Sequence, residues 1–142
     1  MAATVDATRR MGIHPVQAFL LAGTFTLFLA AVLNDIAYWS TYEVQWTNFA
    51  SWLIAGGLLF GGVALLLARV DLRHAALRRG RYLVYVLLLL AAWVLGLINA
   101  LIHARDAWAA MPDGLVLSVV VVLLAGAATW LGFSRLRTGE PA

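Results

Sequence analysis

Four long apolar segments alternate with shorter polar ones along the chain. They cover about residues 16–36, 50–68, 82–102 and 115–133. Each is about 20 residues long, and a helix of that length, rising about 1.5 Å per residue, crosses a hydrocarbon core of about 30 Å. Only helices and closed barrels satisfy every backbone polar group inside a bilayer. The pattern therefore predicts an all-α integral membrane protein, built as a bundle of four transmembrane helices.

The same pattern predicts a single membrane domain between two polar tails. The tails are predicted over residues 1–15 and 135–142, and the membrane domain over residues 16–134. Residues 37–49 are predicted as a loop whose aromatic side chains lie at the level of the lipid headgroups. Those side chains are Tyr38, Trp39, Tyr42, Trp46 and Phe49.

Arginine is concentrated between the second and third apolar segments, at Arg69, Arg73, Arg78, Arg79 and Arg81. Short loops rich in arginine stay cytoplasmic when a membrane protein inserts. We therefore expect this loop and both termini to face the cytoplasm, in a bacterial inner membrane. The loop arginines are also expected to contact anionic lipid, at about 1 kcal/mol each. Because the positive charge belongs to loops of this kind, we do not expect the protein to bind nucleic acid.

Composition strengthens the membrane assignment and removes several enzyme classes. The chain is 63% hydrophobic and 12% charged, whereas soluble domains are about 25% charged. It has no cysteine, which excludes disulfides, thiolate metal sites and cysteine nucleophiles. It also has no nucleotide-binding glycine loop, zinc signature or nucleophile elbow. These features favour a protein that is not an enzyme.

Small residues recur at helical spacing inside the spans. Gly57 and Gly61 form a GxxxG motif in the second span. In lipid, such residues allow two helix backbones to approach closely. We predict helix packing at these positions, with a ligand groove as the alternative. The same argument applies to Ala92, Gly96 and Ala100 in the third span, and to Ala22, Thr26, Ala30 and Asn34 in the first.

Several local features follow one another in an order known from a bacterial family. They are His14-Pro15 at the start of the first span, Asp35 at its end, Trp46 before the glycine-rich second span, Asp71 after it, and Thr129-Trp130-Leu131-Gly132 in the last. Over residues 14–139 the chain resembles the domain of unknown function 2231 family. Many relatives carry a second histidine just after the His-Pro pair, where this chain has Ala18-Phe19-Leu20-Leu21. The resemblance implies a four-helix bacterial inner-membrane protein without an established activity.

Polar residues gather at the outer ends of the first and third spans. Asn34 and Asp35 end the first span, and Asn99, His103 and Asp106 end the third. The spacings of four and three would place the last trio on one helical face. Ionisable residues at the edge of a span are candidate functional residues, and histidine beside a carboxylate can relay a proton or bind a quinone. The alternative is that water and neighbouring polar groups satisfy these side chains.

No bound cofactor is predicted from the three histidines. A b-type haem most simply needs two axial histidines at similar depth on facing helices. His14 lies at the inner end of the first span, His74 in the inner loop and His103 at the outer end of the third. A b-type haem and a quinone therefore remain alternatives to a protein without a cofactor.

Three functional hypotheses follow. The first is a non-enzymatic accessory subunit or scaffold of a membrane complex, in contact with membrane lipids and either a partner protein or further copies of itself. The second is a redox or quinone-interacting component that uses the outer polar residues. The third is a small dimeric transporter, which the lack of charge at mid-depth disfavours.

Overall fold

The computed structural model describes residues 13–72 and 80–138. Within these ranges the chain is helical, and no strand occurs. Four of the helices are long and apolar enough to span a membrane, which confirms the predicted fold class. The helices are α1 (Pro15–Thr41), α2 (Val44–Asp71), α3 (Gly80–His103), α4 (Ala107–Ala110) and α5 (Asp113–Thr138). Arg73, Arg78 and Arg79, with most of the predicted tails, lie outside the described residues.

Helices α1 and α2 are joined by a turn of only two residues. Helix α1 continues past Ile36 to Thr41, and α2 begins at Val44, so the prediction of a loop over residues 37–49 is wrong. Tyr42 takes a left-handed conformation (φ 58°) and its N–H bonds the Tyr38 carbonyl at 2.7 Å, which ends α1. The sequence was misleading because aromatic and polar residues at a membrane interface are compatible with a helix as well as a loop.

The four long helices form a ring in the order α1, α2, α3, α5. Helices α1 and α3 each pack against both α2 and α5, so α1 and α3 lie on one diagonal of the bundle. We call the end that holds the Tyr42–Glu43 turn the turn end, and the opposite end, with Asp71 and Gly80, the loop end. The C-termini of α1 and α3 and the N-termini of α2 and α5 meet at the turn end.

The Phe28 side chain of α1 fills the centre of the bundle. It is 2% exposed and lies between two glycines of other helices. A Cβ added to Gly57 of α2 would lie 2.7 Å from Phe28 Cε1, and one added to Gly96 of α3 would lie 3.1 Å from Phe28 Cζ. A Cβ added to Gly61 would likewise lie 3.3 Å from Thr24 Cγ2. Glycines on α2 and α3 therefore leave the space that side chains of α1 occupy.

The small-residue stripe predicted on α1 is not its buried face. Ala22 and Thr26 are exposed, while Ala30 and Asn34 are half-buried. The prediction failed because α1 contributes bulky side chains to the core, and the small residues that receive them are on the facing helices. The buried face of α1 includes Leu21, Thr24, Phe28, Ala31 and Asp35. On α3, the buried face includes Ala92, Gly96, Asn99 and His103, with Ala100 half-buried beside it.

A polar contact joins three helices near the loop end. The buried Gln17 amide of α1 donates to the Ala64 carbonyl of α2 at 3.0 Å and to the Tyr85 hydroxyl of α3 at 2.6 Å. The Tyr82 hydroxyl donates to the Ala68 carbonyl at 2.9 Å. These bonds link α1 and α3 to α2 at this end of the bundle, and a different polar cluster links helices at the turn end.

Candidate functional site

Asp35 and His103 meet inside the turn end of the bundle. His103 Nε2 lies 2.9 Å from Asp35 Oδ1, and the two side chains are fully buried. Asp35 continues the buried face of α1 one turn beyond Ala31, and His103 continues that of α3 one turn beyond Asn99. Helical spacing on two diagonal helices therefore brings the two ionisable groups together.

Ser118 and Asn99 complete a ring of hydrogen bonds around Asp35, although Asn99 Oδ1 has no partner among the described residues. The Ser118 hydroxyl of α5 donates to Asp35 Oδ2 at 2.5 Å. Asn99 Nδ2 donates to Ser118 Oγ at 2.8 Å, and His103 Nδ1 lies 3.0 Å from the main-chain carbonyl oxygen of Asn99. All four residues are buried, at 5% exposure or less. We call Asp35, Asn99, His103 and Ser118 the Asp35 network; it joins α1, α3 and α5.

The hydrogen-bond partners define how many protons the Asp35 network holds. The main-chain carbonyl oxygen of Asn99 can only accept a hydrogen bond, so His103 Nδ1 carries a hydrogen. One further proton must lie between His103 Nε2 and Asp35 Oδ1, on either atom. The pair is then an imidazolium with a carboxylate, or an imidazole with a carboxylic acid, and both forms are neutral overall. Because a buried charge is costly unless it is paired, this arrangement suits a site that holds one exchangeable proton.

The order of these residues differs from that of a nucleophilic triad. In a serine hydrolase the histidine lies between serine and aspartate and takes the serine proton. Here Asp35 lies between His103 and Ser118, so His103 is not placed to take the Ser118 proton. Both His103 nitrogens have partners as well, which leaves neither of them directed at a metal. Among the described residues, no three His, Asp or Glu side chains are grouped as metal ligands.

A cavity of about 490 Å³ adjoins the Asp35 network. His103 forms part of its wall, together with the start of α2 and residues that follow α3. Most of the lining is polar. Glu43 and Arg105 bring one acidic and one basic side chain, and the Thr47 side chain is buried on the α2 side. His103 thus borders the cavity as a residue, while its imidazole ring is covered in this structure.

Gly114 allows α5 to pack directly on the His103 ring. A Cβ at this position would lie 2.8 Å from His103 Cε1. Neither Gly114 nor Ser118 was among the predicted site residues, because Ser118 is 83 residues from Asp35 in sequence and has no base near it along the chain. The available signal was their spacing of four, which places them on one face of α5 because that helix begins at Asp113, before the predicted start of the last span.

The structure brings three of the five predicted polar residues together. Asp35, Asn99 and His103 belong to the network, whereas the half-buried Asn34 amide donates to the Ala30 carbonyl of its own helix at 2.7 Å. Asp106 is exposed and precedes α4. The expected shared face of Asn99, His103 and Asp106 fails at Asp106, because α3 ends at His103.

Ser118→Ala is expected to lower the free energy of unfolding by about 1–3 kcal/mol, because it leaves Asp35 Oδ2 and Asn99 Nδ2 buried without their partner. Ser40→Ala is the matched control, since the exposed Ser40 hydroxyl donates to the Ile36 carbonyl of its own helix. Unfolding by SDS titration in mild detergent, followed by circular dichroism, measures both. Equal stability of the two variants would contradict the network's assigned role.

Comparison with known proteins places the chain in a family. Searches of curated proteins and of solved structures found no match. The family model of predicted membrane proteins DUF2231 matches residues 11–136. This range contains all four long helices up to the last turn of α5, together with the whole Asp35 network. The match confirms the family expected from the sequence: the chain belongs to the DUF2231 family of predicted multi-pass membrane proteins.

Proposed function

We propose that the protein is a redox component of a bacterial inner membrane that binds a quinone head group beside the Asp35 network. The observation that carries this proposal is the position of His103, which is hydrogen-bonded to the buried Asp35 and also borders the cavity. Ionisable groups inside membrane bundles are costly, and they mark proton and ligand pathways. A proton held by the pair is then one imidazole ring away from a bound head group.

The orientation of the protein in the membrane is part of the same proposal. Arg69 and Arg81 are exposed at the loop end, whereas Glu43 and Asp106 are exposed at the turn end. By the distribution of arginine, the loop end faces the cytoplasm. The cavity and the Asp35 network then lie on the outer, periplasmic side of the membrane.

A local movement of the cavity wall has to uncover the ring, and a head-group oxygen then replaces the Asn99 main-chain carbonyl as the acceptor of the His103 Nδ1 hydrogen. That exchange gives up one neutral hydrogen bond, worth about 0.5–1.5 kcal/mol, and forms another of the same kind. The stronger contact between His103 and Asp35 stays in place. This chain holds one proton; the two electrons and the second proton that convert a quinone to a quinol have to come from a redox partner protein at the same membrane.

His103→Gln is expected to weaken the binding of a short-chain ubiquinone or menaquinone analogue at least tenfold, because glutamine cannot keep both the Asp35 contact and a hydrogen directed at the ligand. His14→Gln is the control, since His14 is exposed near the opposite end of the bundle. Equilibrium binding to protein in lipid nanodiscs, with empty nanodiscs as baseline, gives the affinities. The proposal fails if wild type, His14→Gln and His103→Gln bind the analogue equally.

The second candidate is a non-enzymatic accessory subunit or scaffold, alone or as a homo-oligomer. It is favoured by the close packing of Phe28 against Gly57 and Gly96, together with the network that fixes three helices. Purification from the native membrane in mild detergent, followed by mass spectrometry, separates the two candidates. Co-purifying quinone that is lost in His103→Gln supports the first, and a stoichiometric partner retained in His103→Gln without quinone supports the second.

A further inference from the structure

Thr47 has a buried hydroxyl for which the described residues supply no hydrogen bond. The residue is 4% exposed, and its Oγ1 is without a partner. Four other hydroxyls of α1 and α2 behave differently: those of Thr24, Ser40, Thr41 and Ser51 each donate to the carbonyl four residues earlier. Buried polar groups are nearly always paired, and an exception calls for an explanation such as a missing ligand. Gln17 Oε1 and Asn99 Oδ1 also lack a partner, but those side chains bond through their amide nitrogens, whereas Thr47 Oγ1 is the one polar atom of its side chain. Thr47 belongs to the cavity wall although its hydroxyl is covered, so a ligand bound there can supply the partner once the wall adjusts.

The N-terminus of α2 borders the same cavity. Glu43 precedes this 28-residue helix, and its side chain makes no capping hydrogen bond. Glu43, Val44 and Gln45 all line the cavity. The first N–H groups of a helix lack partners within it and attract negatively polarised oxygen. The hydroxyl of Thr47 and the start of α2 therefore favour a ligand oxygen that accepts hydrogen bonds.

The charges around the cavity favour a neutral ligand. Glu43 and Arg105 both belong to the wall, and their formal charges cancel. An anion that gained from Arg105 would be repelled by Glu43, whereas a polarised but neutral oxygen escapes that repulsion. This balance disfavours phosphate and carboxylate and favours a carbonyl.

We infer that Thr47 is a ligand-binding residue, and that the cavity takes a neutral head group with two carbonyl oxygens. One oxygen accepts from the Thr47 hydroxyl beside the start of α2, and the other accepts from His103 on the α3 side. The second contact rests on the proposed function, whereas the first rests on Thr47 alone. The ligand class is a quinone, whose two carbonyls can contact two helices at once.

Thr47→Val removes the hydroxyl and keeps the shape of the side chain. The affinity for a short-chain quinone analogue in nanodiscs is expected to fall about tenfold, as for the loss of one good hydrogen bond. The ligand-free protein is expected to melt at the same temperature or higher, because the variant removes a buried hydroxyl that has no partner. Thr47→Ser should restore binding to within about twofold of wild type. Thr26→Val is the control, since Thr26 is exposed on α1 and does not line the cavity.

The outcomes separate this inference from the proposed function. If His103→Gln abolishes binding and Thr47→Val leaves it unchanged, the role of Thr47 is overturned and the proposed function stands. If neither variant changes binding, both are overturned. A lower melting temperature of ligand-free Thr47→Val would show a structural role and overturn the inference. Displacement of the quinone by inorganic phosphate, or by vesicles of anionic phospholipid but not of phosphatidylcholine, would overturn the neutral ligand class.

Discussion

Asp35→Ala is expected to lower the free energy of unfolding by about 3–5 kcal/mol, the cost of breaking a buried ion pair from one side. The carboxylate is completely buried and contacts both His103 and Ser118. Without it, His103 Nε2 and the Ser118 hydroxyl are left in the interior without their partner. The links from α1 to α3 and from α1 to α5 at the turn end are lost together.

A double variant distinguishes an unpaired group from general damage. In Asp35→Leu with His103→Leu both members of the pair become apolar, and exchanging a whole buried pair for apolar residues is close to neutral. The double variant should therefore be more stable than Asp35→Ala alone. SDS titration of the purified protein, followed by circular dichroism, gives the comparison.

Asp106→Ala serves as the matched control for Asp35→Ala. Asp106 is exposed and its side chain makes no capping bond, so its removal should change stability by no more than about 0.5 kcal/mol. Equal losses at Asp35 and Asp106, or a double variant no more stable than Asp35→Ala, would contradict the account of a coupled pair.

The helices could be predicted from the sequence because lipid makes hydropathy decisive. A bilayer offers no water to an unpaired backbone group, so a long apolar segment has to be helical. The same reasoning placed Asp35 and His103 among the candidate residues, because an ionisable group at the end of a span is rare enough to be noticed without a structure. Fold class and the titratable part of the site are thus properties of single segments.

The remaining features depend on contacts between segments. Ser118 has an ordinary position in an apolar helix, and only the packing of α5 against α1 places its hydroxyl on Asp35. Asp106 was wrongly expected on the face of His103, since nothing in its spacing shows that α3 ends three residues earlier. The stripe through Ala22 and Thr26 had the right composition for helix packing, but the bulky side of α1 faces the core instead. Small residues indicated that close packing occurs without indicating which helix fills the space.

Gly57→Leu is expected to destabilise the protein by about 3 kcal/mol, at the upper end of the range for an overpacked core. Even a Cβ at this position would lie 2.7 Å from the Phe28 ring, which is closer than two carbon atoms can approach. The ring cannot move away freely, because Gly96 already packs against it on the α3 side, where an added Cβ would lie 3.1 Å from Phe28 Cζ. The leucine must therefore push α2 away from α1. Thermal unfolding in mild detergent measures the loss.

The origin of that loss can be tested by making space on the other side of the contact. Phe28→Ala alone should cost about 3–5 kcal/mol, because it leaves a cavity at the centre of the bundle. Combined with Gly57→Leu, the leucine fills part of that cavity, so the double variant should be at least about 1 kcal/mol more stable than the sum of the single effects predicts. Gly80→Leu is the control, since a Cβ there meets nothing within 4 Å. Strict additivity at Phe28 and Gly57, or an equal loss at Gly80, would show that the damage does not arise from the contact between α1 and α2. A positive coupling would identify the Phe28 ring as the element that fixes how closely these helices pack.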